Sequence, residues 1–307
     1  MVCRLYTMPG VSEDYLEKAL SEYNDKVNDL ESAGDSEELL EAYVNRGCVL
    51  KMLEHYTSSL EDLESAAEMA DRIGTDDGTY VKMYSALGEL YQHFGMDASE
   101  PLGKAASRLN RISSSSHHFD ARRVVSMCIS SSEVLLEDGF YKEALPFLEK
   151  ALDSTDSKID PWMRNRRMEA YDLMGELYDS IEDPAKAIEC YDEAIELGTD
   201  LMKSGNLEDT EQLAATYMAK AECELDLGMM DHFVADSDSA IFLIEEMHKN
   251  GMIDSMQEAT DICHNVAAEF MKIGKVNEAE KYLMKAMSLT LEGAKDYIEG
   301  QGKRLKE

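Results

Sequence analysis

The sequence predicts an all-α chain assembled from repeated helical hairpins, and three observations predict it. Apolar residues recur at helical spacing through most of the length. Small residues recur at matched positions in successive stretches. Residues that favour strands or break helices are scarce, with 7 Phe, 1 Trp and 5 Pro in 307 residues, so little sheet is expected.

The stretch from Met168 to Leu201 shows the unit most clearly. Tyr171, Met174, Gly175 and Tyr178 fall at i, i+3, i+4 and i+7, which gives one helix face two rings with a gap between them. Asp183 and Pro184 then suit an N-cap and a first helical position, so a second helix starts there. Its Ala187, Tyr191 and Ala194 are small, large and small against large, small and large, a pattern that lets two helices interlock at short range.

The unit recurs. Taking the small residue of the first helix as an anchor gives Gly47, Gly88, Ser132, Gly175, Ala221 and Ala267. Four residues earlier stand Tyr43, Tyr84, Cys128, Tyr171, Tyr217 and Cys263, and nineteen later Ala66, Ser107, Ala151, Ala194, Ala240 and Ala286. Gly95, Gly139, Gly228 and Gly274 stand seven after their anchors, where the hairpin must turn through a left-handed conformation. Twelve after the anchor the column reads Ser59, Glu100, Ala144, Ala187, Phe233 and Ala279, so the unit of Gly88 is expected to carry the most irregular second helix.

These residues resemble the tetratricopeptide repeat, TPR, over roughly Leu40 to Gly293. The resemblance implies a right-handed α-solenoid of about six helical hairpins behind an N-terminal capping helix. The anchors lie about 41–46 residues apart, against about 34 in the family, so the chain resembles its long-helix members. Residues 1–35 are expected to form an N-terminal extension and capping helix, 36–300 the solenoid, and 301–307 a short tail after Gly300 and Gly302 break the last helix. Ser12 caps a first helix to about Ala33 whose Leu16, Ala19, Leu20, Tyr23, Val27 and Leu30 make one apolar stripe, as a terminal unit requires. The Ser/His stretch after Ile112 reads as a loop; adjacent His117 and His118 point apart on a helix and lack a third ligand nearby.

The formal net charge is −33. That disfavours unassisted binding to nucleic acid or an anionic membrane, because each phosphate contact wants a Lys or Arg. The acidity serves either solubility and salt adaptation or the choice of a partner. It is uneven: from Tyr171 to Met271 the only Lys or Arg residues are Lys186, Lys203, Lys220 and Lys249. The six cysteines, Cys3, Cys48, Cys128, Cys190, Cys223 and Cys263, form no CxxC pair, so neither a zinc site nor a disulfide framework is expected. The N-terminal residues lack the apolar core of a signal peptide, and a cytoplasmic setting is expected.

No sequence pattern of a hydrolase nucleophile, zinc protease or phosphate loop is present, so a non-enzymatic protein is expected, without cofactor or metal. Its informative surface is the first-helix stripe formed by residues three before, one after and four after each anchor. Position one after holds Glu89, Glu133, Glu176 and Glu222 in four consecutive units, and Asp172 and Asp179 extend the stripe in the fourth. In TPR proteins this face lines the concave groove. The Lys and Asn clamp by which relatives grip acidic chaperone tails is missing, so the ladder predicts a protein or peptide partner that is basic or extended.

A second candidate is an anion-binding rim of Arg122, Arg123, Trp162, Arg164, Arg166 and Arg167, since guanidinium pairs with carboxylate or phosphate in bidentate fashion. It implies a ligand-responsive regulatory sensor, unless these arginines only neutralise nearby acids. A third reading is a structural protein that self-assembles through its terminal units.

Overall fold

A computed structural model describes residues 12–112, 121–155, 160–253 and 255–304. The Ser/His stretch with His117 and His118, Cys3 and the last three residues lie outside the described residues. Among those described, all thirteen regular elements are α-helices. They run α1 (Glu13–Glu31), α2 (Glu37–Met52), α3 (Tyr56–Ile73), α4 (Asp77–His93), α5 (Ser99–Leu109), α6 (Ala121–Glu137), α7 (Tyr141–Ser154), α8 (Pro161–Ser180), α9 (Pro184–Lys203), α10 (Thr210–Asp226), α11 (Met230–Lys249), α12 (Gln257–Lys272) and α13 (Val276–Arg304).

The starts of these helices follow from short polar side chains. Ser12 Oγ accepts from the amide of Tyr15 at 3.3 Å, Ser36 Oγ from Leu39 at 3.1 Å, and Asp76 and Asp209 cap α4 and α10 in the same way. At the N-terminus of α8, Asp160 accepts from the amide of Trp162 at 3.0 Å. The six turns inside hairpins share one closure. The amides of His55, Met96, Phe140, Asp183, Met229 and Lys275 each donate to the carbonyl five residues back, the Schellman arrangement that requires positive φ at the residue before. Gly95, Gly139, Gly228 and Gly274 supply it with φ between 66° and 78°. In the other two hairpins the same position is Glu54 and Glu182, both at φ 62°.

Paired helices approach closely at the glycine anchors. A Cβ placed on Gly47 would stand 2.8 Å from Leu63 Cγ, and one on Gly88 would stand 2.3 Å from Leu102 Cγ. Leu63 and Leu102 are fully buried, each worth about 1.5–3 kcal/mol relative to exposure. Ser59, in place of the usual alanine, is buried and donates its hydroxyl to the carbonyl of Gly47 at 2.7 Å, so the polar atom is satisfied.

The irregularity expected at Gly88 resolves into a register shift. Gly47 and Gly175 meet side chains sixteen residues on, Leu63 and Tyr191, whereas Gly88 meets Leu102, fourteen on. The columns shift by the same two residues: Ala98 and Ala105 are fully buried, while Glu100 and Ser107 are exposed. Correct alignment therefore puts alanine in both second-helix columns of this unit, and the shortening is taken up by a later start of α5.

At the C-terminus α13 continues through Gly300 and Gly302 to Arg304, a correction to the expected break. Two glycines cost a helix about 1 kcal/mol each, which is not enough to stop one without a capping signal. The chain groups into two compact units, Met1–Leu173 and Met174–Glu307, with the division inside α8. In a repeat array contacts run only between neighbours, so the repeat pattern itself does not mark that point. Within the first unit α1 packs on α2, and α2, α4 and α6 contact in succession as first helices; within the second, α9, α10, α11, α12 and α13 contact in chain order.

Candidate functional site

In the first unit the stripe of first-helix residues is closed by pairs. Lys51, four after its anchor, forms a salt bridge with Glu89, one after the next anchor, and both side chains are largely buried. Burial opposes the ammonium, yet the Glu89 carboxylate holds Lys51 above its ordinary pKa. Gln92, at the same place as Lys51 one unit on, donates to Glu137 at 2.6 Å, and Lys82 donates to Asn45 at 2.6 Å. Glu133 is half-buried. Burial pushes its carboxyl up to about 8, helped by Glu169, Glu137 and Glu89 and opposed by Arg166. Glu89 is therefore neutralised by a neighbouring lysine, and at neutral pH Glu133 is held largely protonated. Asp172, half-buried on α8, ends the stripe in this unit.

The arginine and tryptophan residues also fall in the first unit. Arg122 pairs with Asp160 at 2.7 Å and lies 5.2 Å from the Trp162 ring; Arg166 lies 5.8 Å from the same ring and pairs with Glu169 at 2.6 Å. The hydrogen bond from Arg122 holds the Asp160 carboxyl below the usual range. Arg167 donates to the carbonyl of Leu152 at 2.9 Å and to the Tyr171 hydroxyl at 3.1 Å, so it ties the end of α7 to α8. Arg123 is exposed on α6 and Arg164 half-buried on α8. The structure thus brings Arg122, Arg166 and Trp162 together, with a carboxylate on each of the two arginines.

In the second unit the stripe is different. Glu176, Asp179 and Glu222 are exposed. Asp179, four after its anchor, accepts from the Cys223 thiol at 3.3 Å, and burial together with that bond pushes the thiol up to about 12. Gly175 lies against the Tyr191 ring, and Ala187, Tyr191 and Cys223 form one buried cluster with Tyr178 and Ala219 packed on it. Below the stripe Lys220 bridges Asp192 at 2.7 Å and Asp236 at 2.9 Å and reaches Glu224 at 3.5 Å. Glu224, three after its anchor where other units carry Tyr178 and Phe270, is buried. Burial, with Asp236 beside it, pushes its carboxyl up to about 6, against the pull of Lys220. Lys220 is thereby spent inside the wall, while the side chains of Glu176, Asp179 and Glu222 lie exposed.

The repeat columns, the shared turn closure and these packed hairpins meet one further finding: the tetratricopeptide repeat profile matches residues 169–197 and 260–292. These two stretches are TPR repeats. No protein of curated function matches it in sequence. Among solved structures, the TPR chain is similar to aspartyl phosphate phosphatase F from Bacillus subtilis, with 12% identity over 94% of this chain and 77% of that one and a TM-score of 0.51. It is also similar to BtubC from P. vanneervenii, with 18% identity over 76% of this chain and 92% of that one and a TM-score of 0.48. The apo quorum sensor NprR from B. thuringiensis is 15% identical over 90% of this chain and 84% of that one, with a TM-score of 0.41. At 12% identity the likeness to aspartyl phosphate phosphatase F shows the fold alone.

Within the TPR frame, the residue four after an anchor reaches the next first helix, as Lys51 reaches Glu89, Gln92 reaches Glu137 and Asp179 reaches Cys223. Lys51 stands in the same column as Asp179, so its position signals its reach; which partner it takes depends on the next helix. Among the described residues no group of three or more His, Cys, Asp and Glu could hold a metal ion, and no helix is long and apolar enough to cross a membrane.

Proposed function

We propose that this TPR chain is a non-enzymatic scaffold or adaptor that binds a basic or extended protein segment through acidic first-helix residues, chiefly Glu176, Asp179 and Glu222. The observation that carries this reading is the contrast along one column. Glu89 has its own lysine and Glu133 is held protonated, whereas Glu176 and Glu222 are exposed. Repulsion among exposed carboxylates is softened by salt with a screening length of about 8 Å but not abolished, so a cationic segment relieves it on binding. A preformed helical wall spares the scaffold an ordering cost.

Affinity capture from native lysate tests this, comparing the wild type with Glu176→Lys/Asp179→Lys/Glu222→Lys at low and high salt. The expected result is a partner lost in the variant and lost again at high salt. Partners retained equally by both proteins overturn the site.

A further inference from the structure

The last hairpin breaks a rule that the others keep. Sixteen residues after the anchor, Leu63, Leu148, Tyr191 and Ser237 are all buried, but Leu283 is 43% exposed. Seventeen after, the other second helices that keep this register carry an exposed acid, Glu64, Glu149, Asp192 or Asp238; here stands Met284, 65% exposed. Met287 and Leu291 follow at 66% and 61% exposure. Ala286 and Leu289 are buried, so one face of α13 is sunk in the hairpin while another, equally apolar, is uncovered. An exposed contiguous apolar face marks an interaction surface.

Its spacing and charge identify the occupant. Met284, Met287 and Leu291 stand at i, i+3 and i+7, the a, d, a seam of a two-stranded helical contact, and in the sequence the same spacing continues at Ala294 and Ile298. α13 spans 29 residues, against 11–20 for the other helices. Of the residues flanking the seam, Leu283, Ser288 and Thr290 are uncharged and exposed, and Lys281 is an exposed base. No acid occurs from Lys281 to Leu291 in a chain with 63 Asp and Glu. That stretch holds two bases, exposed Lys281 and half-buried Lys285, the latter paired with Glu245 at 3.6 Å. With no acid inside it and Glu280 only at its edge it does not suit a basic partner, and one remaining lysine is too few to hold an acidic one. A twofold contact sets each residue against the same surface of its mate, so in a chain of net charge −33 it requires a face cleared of acids.

We propose that the outer face of α13 pairs with α13 of a second copy of this chain in an antiparallel, twofold contact. Met287 lies near the axis, and Met284 and Leu291 face one another across it.

Analytical ultracentrifugation of the full chain over a dilution series tests this, beside Met284→Glu/Met287→Glu/Leu291→Glu. The wild type is expected to sediment as a dimer that dissociates on dilution, and the variant as a monomer throughout with unchanged helicity and melting temperature. Mixing that variant with Met284→Lys/Met287→Lys/Leu291→Lys is expected to restore a dimer of one copy each. A wild type that stays monomeric, a glutamate variant that dimerises like the wild type, or variants that fail to pair on mixing each overturn the proposal.

Discussion

A Cβ atom on Gly175 would stand 2.4 Å from Cε1 of Tyr191, closer than carbon atoms approach in a packed core. The backbone of α8 therefore lies against the ring of α9, and the glycine is the reason the two helices meet. Replacing Gly175 by Leu is expected to destabilise the protein by about 1–3 kcal/mol through overpacking, read as a lower melting temperature. An unchanged melting curve would contradict this packing register.

The hairpin turns hold strain at two places. Glu54 and Glu182 both adopt φ 62° where the other four turns use glycine, and a side chain in the left-handed region costs about 1–2 kcal/mol. Both residues are exposed. Glu54→Gly and Glu182→Gly are each expected to stabilise by about 0.5–1 kcal/mol, the strain relieved less the extra freedom glycine gives the unfolded chain. Urea unfolding checks it; a lower midpoint in either variant would contradict the turn assignment.

Much of this fold was legible in the sequence because hairpin packing repeats. Anchors, aromatic column, turn glycines and caps all fall at fixed spacings, so each unit supports the reading of the next. Two features were hidden by physics that spacing does not record. The turns at Glu54 and Glu182 are held by backbone hydrogen bonds that any residue can make at some strain. The second helix of the Gly88 unit is two residues out of register, and a fixed offset therefore picked exposed Glu100 and Ser107 instead of buried Ala98 and Ala105. Those alanines are seven apart, as Ala187 and Ala194 are, which is the signal that would have found them. The acidic ladder was visible as composition, but whether a glutamate is free depends on neighbours 38 residues away, as Lys51 is from Glu89.

The register shift has its own test. Ala105→Leu is expected to destabilise by about 1–3 kcal/mol because the site is full, whereas Ser107→Leu on the exposed face should stay within about 0.5 kcal/mol. Paired thermal melts decide; equal losses at the two positions would contradict the shift.

Glu133 makes stability depend on pH. Its carboxyl titrates near 4.5 when unfolded and near 8 when folded, so between those values the folded chain keeps a proton that the unfolded chain has released. Stability is therefore expected to fall as pH rises through that window, with no penalty below it and the full penalty above it. Glu133→Gln should flatten this slope and stabilise at the alkaline end by about 1–3 kcal/mol. Parallel stability curves for the two proteins would show that Glu133 ionises freely.

The central claim is that the exposed acids of the second unit, and not the paired acid of the first, attract a basic segment. Fluorescence anisotropy of a labelled Lys/Arg-rich peptide tests it most directly, using the wild type, Glu176→Lys/Asp179→Lys/Glu222→Lys, and Glu89→Gln as a control. Salt-sensitive binding that is lost in the triple variant and kept in the control is the predicted result. Binding that survives the triple variant, or no binding by the wild type at low salt, would contradict it.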